Sequence, residues 1–170
     1  MAVKKTTIPF KIGDNAVHLS HGVGIVRGIE ERTFGSKKEH FYILEIQDNG
    51  SPKKVFVPVE NSETRLRPII KQKEVDEVYK ILRTRDSQPI DHQTWNRRYR
   101  EYMEKIHTGQ VQEIAQVMRA LFLIKHDKNL SFGERKLLDQ AKTLLVKELS
   151  LAQNIGEADV EKELEAIFGT

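Results

Sequence analysis

Trp95 is the only tryptophan of the chain, and it stands in the run Thr94-Trp95-Asn96-Arg97-Arg98-Tyr99-Arg100. The run couples a large flat apolar ring to the guanidinium groups of Arg97, Arg98 and Arg100, with no acid among them. Arginines neutralise phosphates and fix the register of a protein on a duplex. An apolar ring beside them is the kind of side chain that presses into a minor groove and unstacks a base step. A lone tryptophan also suits a core, because the indole is highly buried on average. Two features favour a surface role: Trp95 opens a helical pattern rather than sitting within one, and cations rather than apolar residues follow it.

The residues that catalysis would need are missing. There is no Gly-rich phosphate loop, no nucleophile elbow and no HExxH helix. His18 and His21 are close enough in sequence to share a metal, but no third ligand follows at a suitable spacing, so no metal and no cofactor is expected. The acid pairs Glu30-Glu31 and Asp76-Glu77 are adjacent in sequence. Neighbours on a strand or helix point to different sides, which makes them poor acid–base partners. A binding protein, not an enzyme, is the expectation.

The elements that must carry Trp95 and its arginines change character near residue 70. Before it, β-branched and aromatic runs recur: Ala16-Val17-His18-Leu19, Gly24-Ile25-Val26, Ile29, Phe41 to Ile46 and Lys54 to Val59. Gly13-Asp14, His21-Gly22, Gly35-Ser36 and Asp48-Asn49-Gly50-Ser51 bound them as turns. The Asp48-to-Pro52 stretch between two apolar runs is the clearest hairpin signal. A small, strongly bent SH3- or Tudor-like β-barrel follows from this pattern. The glycines of His21-Gly22-Val23-Gly24 are read as structural, allowing tight backbone turns.

After Pro68 the period becomes helical. Val75, Val78, Tyr79 and Leu82 repeat at three and four residues, and Ser87-Gln88-Pro89-Ile90-Asp91 interrupts the pattern. A helix from Asp91 or Thr94 to His107 carries Trp95 and is closed by Gly109. Further helices are predicted from Val111 to His126, from the Ser131/Glu134 capping box through Leu151, and from Glu157 to Phe168. The fold class is therefore α+β in two domains, a β-domain over 1–70 and an all-α domain over 71–170.

Composition limits the partners. The formal charge is only +3, so any nucleic-acid contact rests on local clustering. Arg83, Arg85, Arg97, Arg98, Arg100 and Lys105 form such a cluster around Trp95, whereas Glu148 and the five acids from Glu157 to Glu165 read as a solvated helix face. Cysteine is absent, which removes disulfides and thiolate sites and fits a reducing cytoplasm. Met1 to Thr7 is followed by no apolar run, so neither a signal peptide nor a membrane anchor is expected.

These residues resemble the CarD/CdnL family of bacterial transcription regulators, in its short form. Phe10-Lys11-Ile12-Gly13-Asp14, His21-Gly22-Val23-Gly24, Ile29-Glu30, Tyr42 and Val57-Pro58-Val59-Glu60-Asn61 resemble the family's RNA-polymerase-interacting domain. Trp95-Asn96-Arg97-Arg98-Tyr99, Gly109, Ser131, Gly133-Glu134-Arg135 and Leu144 to Leu149 resemble its helical domain. The resemblance implies docking of the β-domain on the polymerase β subunit, with Trp95 wedged into the promoter minor groove and Arg97 and Arg100 on phosphates, favouring the open complex. It also implies a monomeric cytoplasmic protein that contacts DNA without reading sequence. Arg32 matches a polymerase-contacting arginine of the family pattern. Phe56 stands where some members carry a basic contact, so an apolar contact or a place in the core is left open there; strand alternation puts Val55 and Val57 on one face and Phe56 on the other. A Tudor- or SH3-like module binding a peptide or RNA, with no polymerase involved, is the alternative.

Overall fold

The computed structural model describes residues 10–48, 50–84, 95–127 and 129–169; the side chains of Asp48, Trp95, His126 and Asp127 also lie outside the described set. The chain divides into two compact units, Met1–Pro68 and Ile69–Thr170.

The first unit is a five-stranded antiparallel sheet. Its strands are β1 (Asn15–His18), β2 (Gly22–Phe34), β3 (Lys37–Asp48), β4 (Ser51–Pro58) and β5 (Leu66–Pro68), in the order β4-β3-β2-β1-β5. Two tight hairpins organise it. Phe34 pairs with Lys37 across Gly35-Ser36, and Asp48 pairs with Ser51 at the turn read from the sequence. The glycines after His21 serve different ends. Gly22 lies at φ +86°, where an L side chain is strained. A Cβ on Gly24 would come within 2.8 Å of Leu44 and 2.9 Å of Ile46, so β2 lies on β3 at a distance only glycine permits. Val59-Glu60-Asn61 ends the last long strand: Asn61 takes a left-handed turn at φ 60°, which asparagine tolerates, and opens a short 3₁₀ turn over Ser62–Thr64.

Alternation along the strands sorts the side chains. Tyr42, Leu44 and Ile46 of β3 meet Val26 of β2 and Val57 of β4 in a core closed by Phe10, Val59 and Leu66. Phe10 packs edge-on against Tyr42 with ring centroids 5.8 Å apart, and its N–H donates to the Tyr42 hydroxyl at 3.3 Å. The apolar runs at Gly24–Val26 and Ile29, read as separate pieces, belong to one long strand. An irregular register between Val26 and Gly28 places Arg27 as an extra residue, and from Glu31 to His40 every residue is exposed. That outer half of the hairpin buries nothing, so no hydrophobic alternation marks it.

Among the described residues the second unit contains five helices: α1 (Gln72–Arg83), α2 (Trp95–His107), α3 (Val111–Asp127), α4 (Phe132–Gln153) and α5 (Glu157–Phe168). Val75, Val78, Tyr79 and Leu82 are the buried stripe of α1, as their spacing predicts. They pack with Val117, Met118 and Leu121 of α3 and with Leu145 and Leu149 of α4. The Ser131 capping box closes as expected: the Glu134 N–H donates to Ser131 Oγ at 3.2 Å, and the Ser131 N–H donates to Glu134 Oε1 at 3.1 Å. The architecture is a small Tudor-like β-domain followed by a helical domain.

Two expectations for α4 need correction. Leu151 is 42% exposed, because it lies two residues, about 200°, beyond Leu149 and off the buried stripe. Glu148, grouped with the solvated acids, is buried, because the segment before α1 uses its carboxylate: the Ile70 N–H donates to Glu148 Oε2.

Candidate functional site

The outer face of the sheet in the first unit carries both candidate docking residues. Register places Phe56 of β4 opposite Ile43 of β3, and Arg32 of β2 opposite Glu39. The two are not paired across strands, yet the Arg32 guanidinium carbon lies 4.6 Å from the centroid of the Phe56 ring. Twist explains the diagonal reach, since neighbouring strands rotate by roughly 20–25° and bring offset residues together. Phe56 is 42% exposed and turned away from the core that holds Val57. That settles its place: Phe56 is a surface residue. Arg32 also makes a 3.4 Å contact with Glu30 Oε2, and its side chain remains 46% exposed.

The same face carries an aromatic pair that sequence reasoning missed. Phe34 and Phe41 meet edge-to-face at 6.1 Å, and Phe34 is more than half exposed. Their signal was present as two phenylalanines flanking the Gly35-Ser36 turn, but which face they share depends on register. With Ile43 and Pro58, both half-buried, they extend the apolar surface beside Phe56.

At the β1–β2 turn the rings of His18 and His21 lie 4.6 Å apart. His18 is buried, and its Nδ1 accepts from the Ser20 N–H at 3.1 Å. Burial, then His21 and then Arg65 depress its pKa to about 4. One nitrogen thus shapes the turn as a neutral acceptor. No group of three or more metal-ligating side chains occurs among the described residues.

In the second unit, α2 positions the candidate DNA-contacting residues. Trp95 is its first residue, but the indole belongs to the side chains outside the described set, so the expected wedge has no geometry here. The first turn of α2 holds no acid. Arg97 and Arg100 are exposed. At 100° per residue they lie about 60° apart and opposite the stripe formed by Tyr102 and Ile106. Two guanidinium groups near a helix N-terminus suit anions, because the backbone N–H groups there add positive potential.

The other cations of the cluster read from the sequence differ in setting. Arg98 is half-buried. Lys105 turns to α3, 3.7 Å from Glu113 and hydrogen-bonded to Gln116. Arg83 lies 5.5 Å over the Tyr79 ring. Arg85 and His92 fall outside the described residues. Arg97 and Arg100 are therefore the exposed arginines of α2 among the described residues.

A cleft of about 690 Å³ between α1, α4 and α5 is lined by Gln72, Asp76, Tyr79, Arg83, Gln153 and Glu163. The Tyr79 hydroxyl donates to Glu163 and accepts from Gln153 Nε2 at 3.0 Å. Burial, reinforced by Glu163, pushes the phenol up to about 12. The relay joins three helices and works as a structural tie. Among the described residues no helix is long and apolar enough to cross a membrane.

Comparison with known proteins sets these surfaces in a family. Residues 10–70 match the CarD-like/TRCF RID domain, and residues 77–165 match the CarD C-terminal domain. The chain is also 32% identical over 153 residues to the "Putative transcription factor YdeB" of Bacillus subtilis (strain 168), covering 89% of this chain and 97% of that protein. Both domain matches occur in order, one on each compact unit, and the chain belongs to the CarD family.

Proposed function

We propose that this chain regulates transcription by docking its first unit on the β subunit of RNA polymerase and holding promoter DNA open with α2. The outer sheet face that carries Arg32 and Phe56 forms the polymerase-docking surface. Trp95 wedges into the minor groove at the upstream edge of the melted region, while Arg97 and Arg100 hold phosphates and fix the position of the wedge. The observation that carries the reading is the start of α2: a first turn without an acid, and the exposed Arg97 and Arg100 on one side of the helix over its first two turns. The family match supports it, as does the name of the Bacillus relative.

The mechanism is a shift of equilibrium, and the chemistry belongs to the polymerase. A bound protein favours the open state only as far as it binds that state more tightly. A difference of about 1.4 kcal/mol changes the open-to-closed ratio tenfold. Docking supplies the rest by raising the local concentration of α2 at the promoter, commonly to millimolar levels for linked sites. The two units then act as a bipartite clamp in which neither contact needs to be strong.

The test is open-complex lifetime on a single promoter with purified polymerase and the full chain. Trp95→Ala is expected to shorten the lifetime while polymerase binding and thermal stability stay close to the parent. A variant that instead loses about 3–5 kcal/mol of stability identifies Trp95 as a core residue and removes the wedge.

A further inference from the structure

We propose that Phe56 is a positioning residue: its ring holds the Arg32 guanidinium flat so that the docking face receives a partner carboxylate set in apolar surroundings. This rests on the polymerase-docking reading above and adds the chemistry of the contact.

The argument begins with what holds Arg32. Its contact with Glu30 is long, at 3.4 Å, and both side chains are more than 40% exposed. Such surface ion pairs contribute little and do not fix a long side chain. The Phe56 ring, 4.6 Å from the guanidinium carbon, is the other restraint. An arginine stacked on an aromatic face uses its π surface and leaves its in-plane N–H groups pointing outward. Those groups form the fork that matches a carboxylate with two parallel hydrogen bonds. Stacking thus orders the fork before the partner arrives, which lowers the entropy lost on binding.

The surroundings favour a carboxylate bedded in apolar surface. Ile43 sits beside Phe56 in register, and Pro58, Phe41 and Phe34 continue the same face. An ion pair sealed by such neighbours is less screened by water than an exposed one. Phe56 therefore does through Arg32 what a second cation at that position would do directly.

The experiment measures binding of the full chain to RNA polymerase holoenzyme in a double-mutant cycle, with circular dichroism confirming that each variant is folded. Arg32→Ala is expected to weaken binding about tenfold, and Arg32→Glu more than that, through repulsion from the partner's acid. Phe56→Leu keeps the apolar bulk but loses the π face, and is expected to cost about threefold. Phe56→Trp restores parental binding. In the Arg32→Ala background, Phe56→Leu should cost nothing further, because the platform then has nothing to hold. An equal Phe56→Leu loss in both backgrounds makes Phe56 an independent contact and overturns the platform. Parental binding by Phe56→Leu while Arg32→Ala fails does the same and leaves polymerase docking standing. Equal losses for Arg32→Ala and Arg32→Glu overturn the carboxylate. If the parent chain does not bind polymerase, or Arg32→Ala binds as well as the parent, the docking reading itself falls and takes the platform with it.

Discussion

The backbone N–H of Ile70 donates to Oε2 of Glu148 at 3.1 Å, in a buried contact that joins the first residues of the helical unit to the C-terminal part of α4. A carboxylate is costly to bury unless backbone donors meet it, and Glu148 is only 3% exposed. The pairing therefore anchors the segment before α1 to α4 within the helical unit. It also gives the acid in Leu144-Leu145-Val146-Lys147-Glu148-Leu149 a structural purpose.

Glu148→Ala leaves the Ile70 N–H buried without this acceptor, and such a loss costs about 1–3 kcal/mol. Glu148→Gln keeps an acceptor and is expected to cost less than the alanine change. Urea unfolding of the two variants checks the order. Equal stability in parent and Ala variant would show that the bond contributes nothing net.

Arg97→Ala and Arg100→Ala are expected to weaken promoter association by similar factors on unrelated sequences. Each should also reduce the salt slope of binding by about one. Arg98→Ala is expected to act differently. Arg98 is half-buried, so its removal should lower stability through lost packing before it lowers DNA affinity. Titrations of polymerase–promoter complexes at several salt concentrations decide the matter. A loss confined to one promoter sequence would mean base reading and contradict the phosphate role.

His18 predicts an acid limb in the stability of the β-domain. Its folded pKa, about 4, lies below the ordinary 6.5, so between these values the unfolded chain takes up a proton that the folded chain refuses. The contribution is complete above pH 6.5 and is lost as pH falls toward 4, on the order of 3 kcal/mol in all. His18→Asn retains an acceptor for the Ser20 N–H and removes the titration. Its stability curve should be flatter than the parent's between pH 4 and 6.5. Parallel curves across that window would remove His18 as the cause.

Tyr79→Phe deletes the hydroxyl shared by Glu163 and Gln153. The expected cost is about 1 kcal/mol, because the half-buried Gln153 loses an acceptor while the exposed Glu163 can turn to water. Amide exchange should rise in α5 before it rises in α3, since Tyr79 ties α5 through Glu163. Unchanged exchange in α5 would show that its apolar packing alone holds it.

Much of this protein is legible in local chemistry. The spacing of Val75, Val78, Tyr79 and Leu82 identifies the buried face of α1 because helical geometry repeats every 3.6 residues. Ser131 and Glu134 mark a helix start because only a helix N-terminus brings the two side chains to each other's N–H groups. Asp48 to Ser51 marks a hairpin for a similarly short-range reason. Trp95, Arg97 and Arg100 stand out by residue type, and helix periodicity alone puts the two arginines on one side.

Tertiary structure decided which distant groups meet. Nothing local to Arg32 or Phe56 indicates that one covers the other; that follows from the order of three strands and the twist between them. The charge of Lys105 reads as part of a basic cluster until α3 brings Glu113 and Gln116 beside it. Glu148 reads as a solvated acid until the segment before α1 lays the Ile70 N–H against it. Periodicity reports which face of an element is apolar, because that depends on its own geometry. It carries no information about the polar partner across a sheet or a bundle, because that partner is set by packing between elements far apart in the chain.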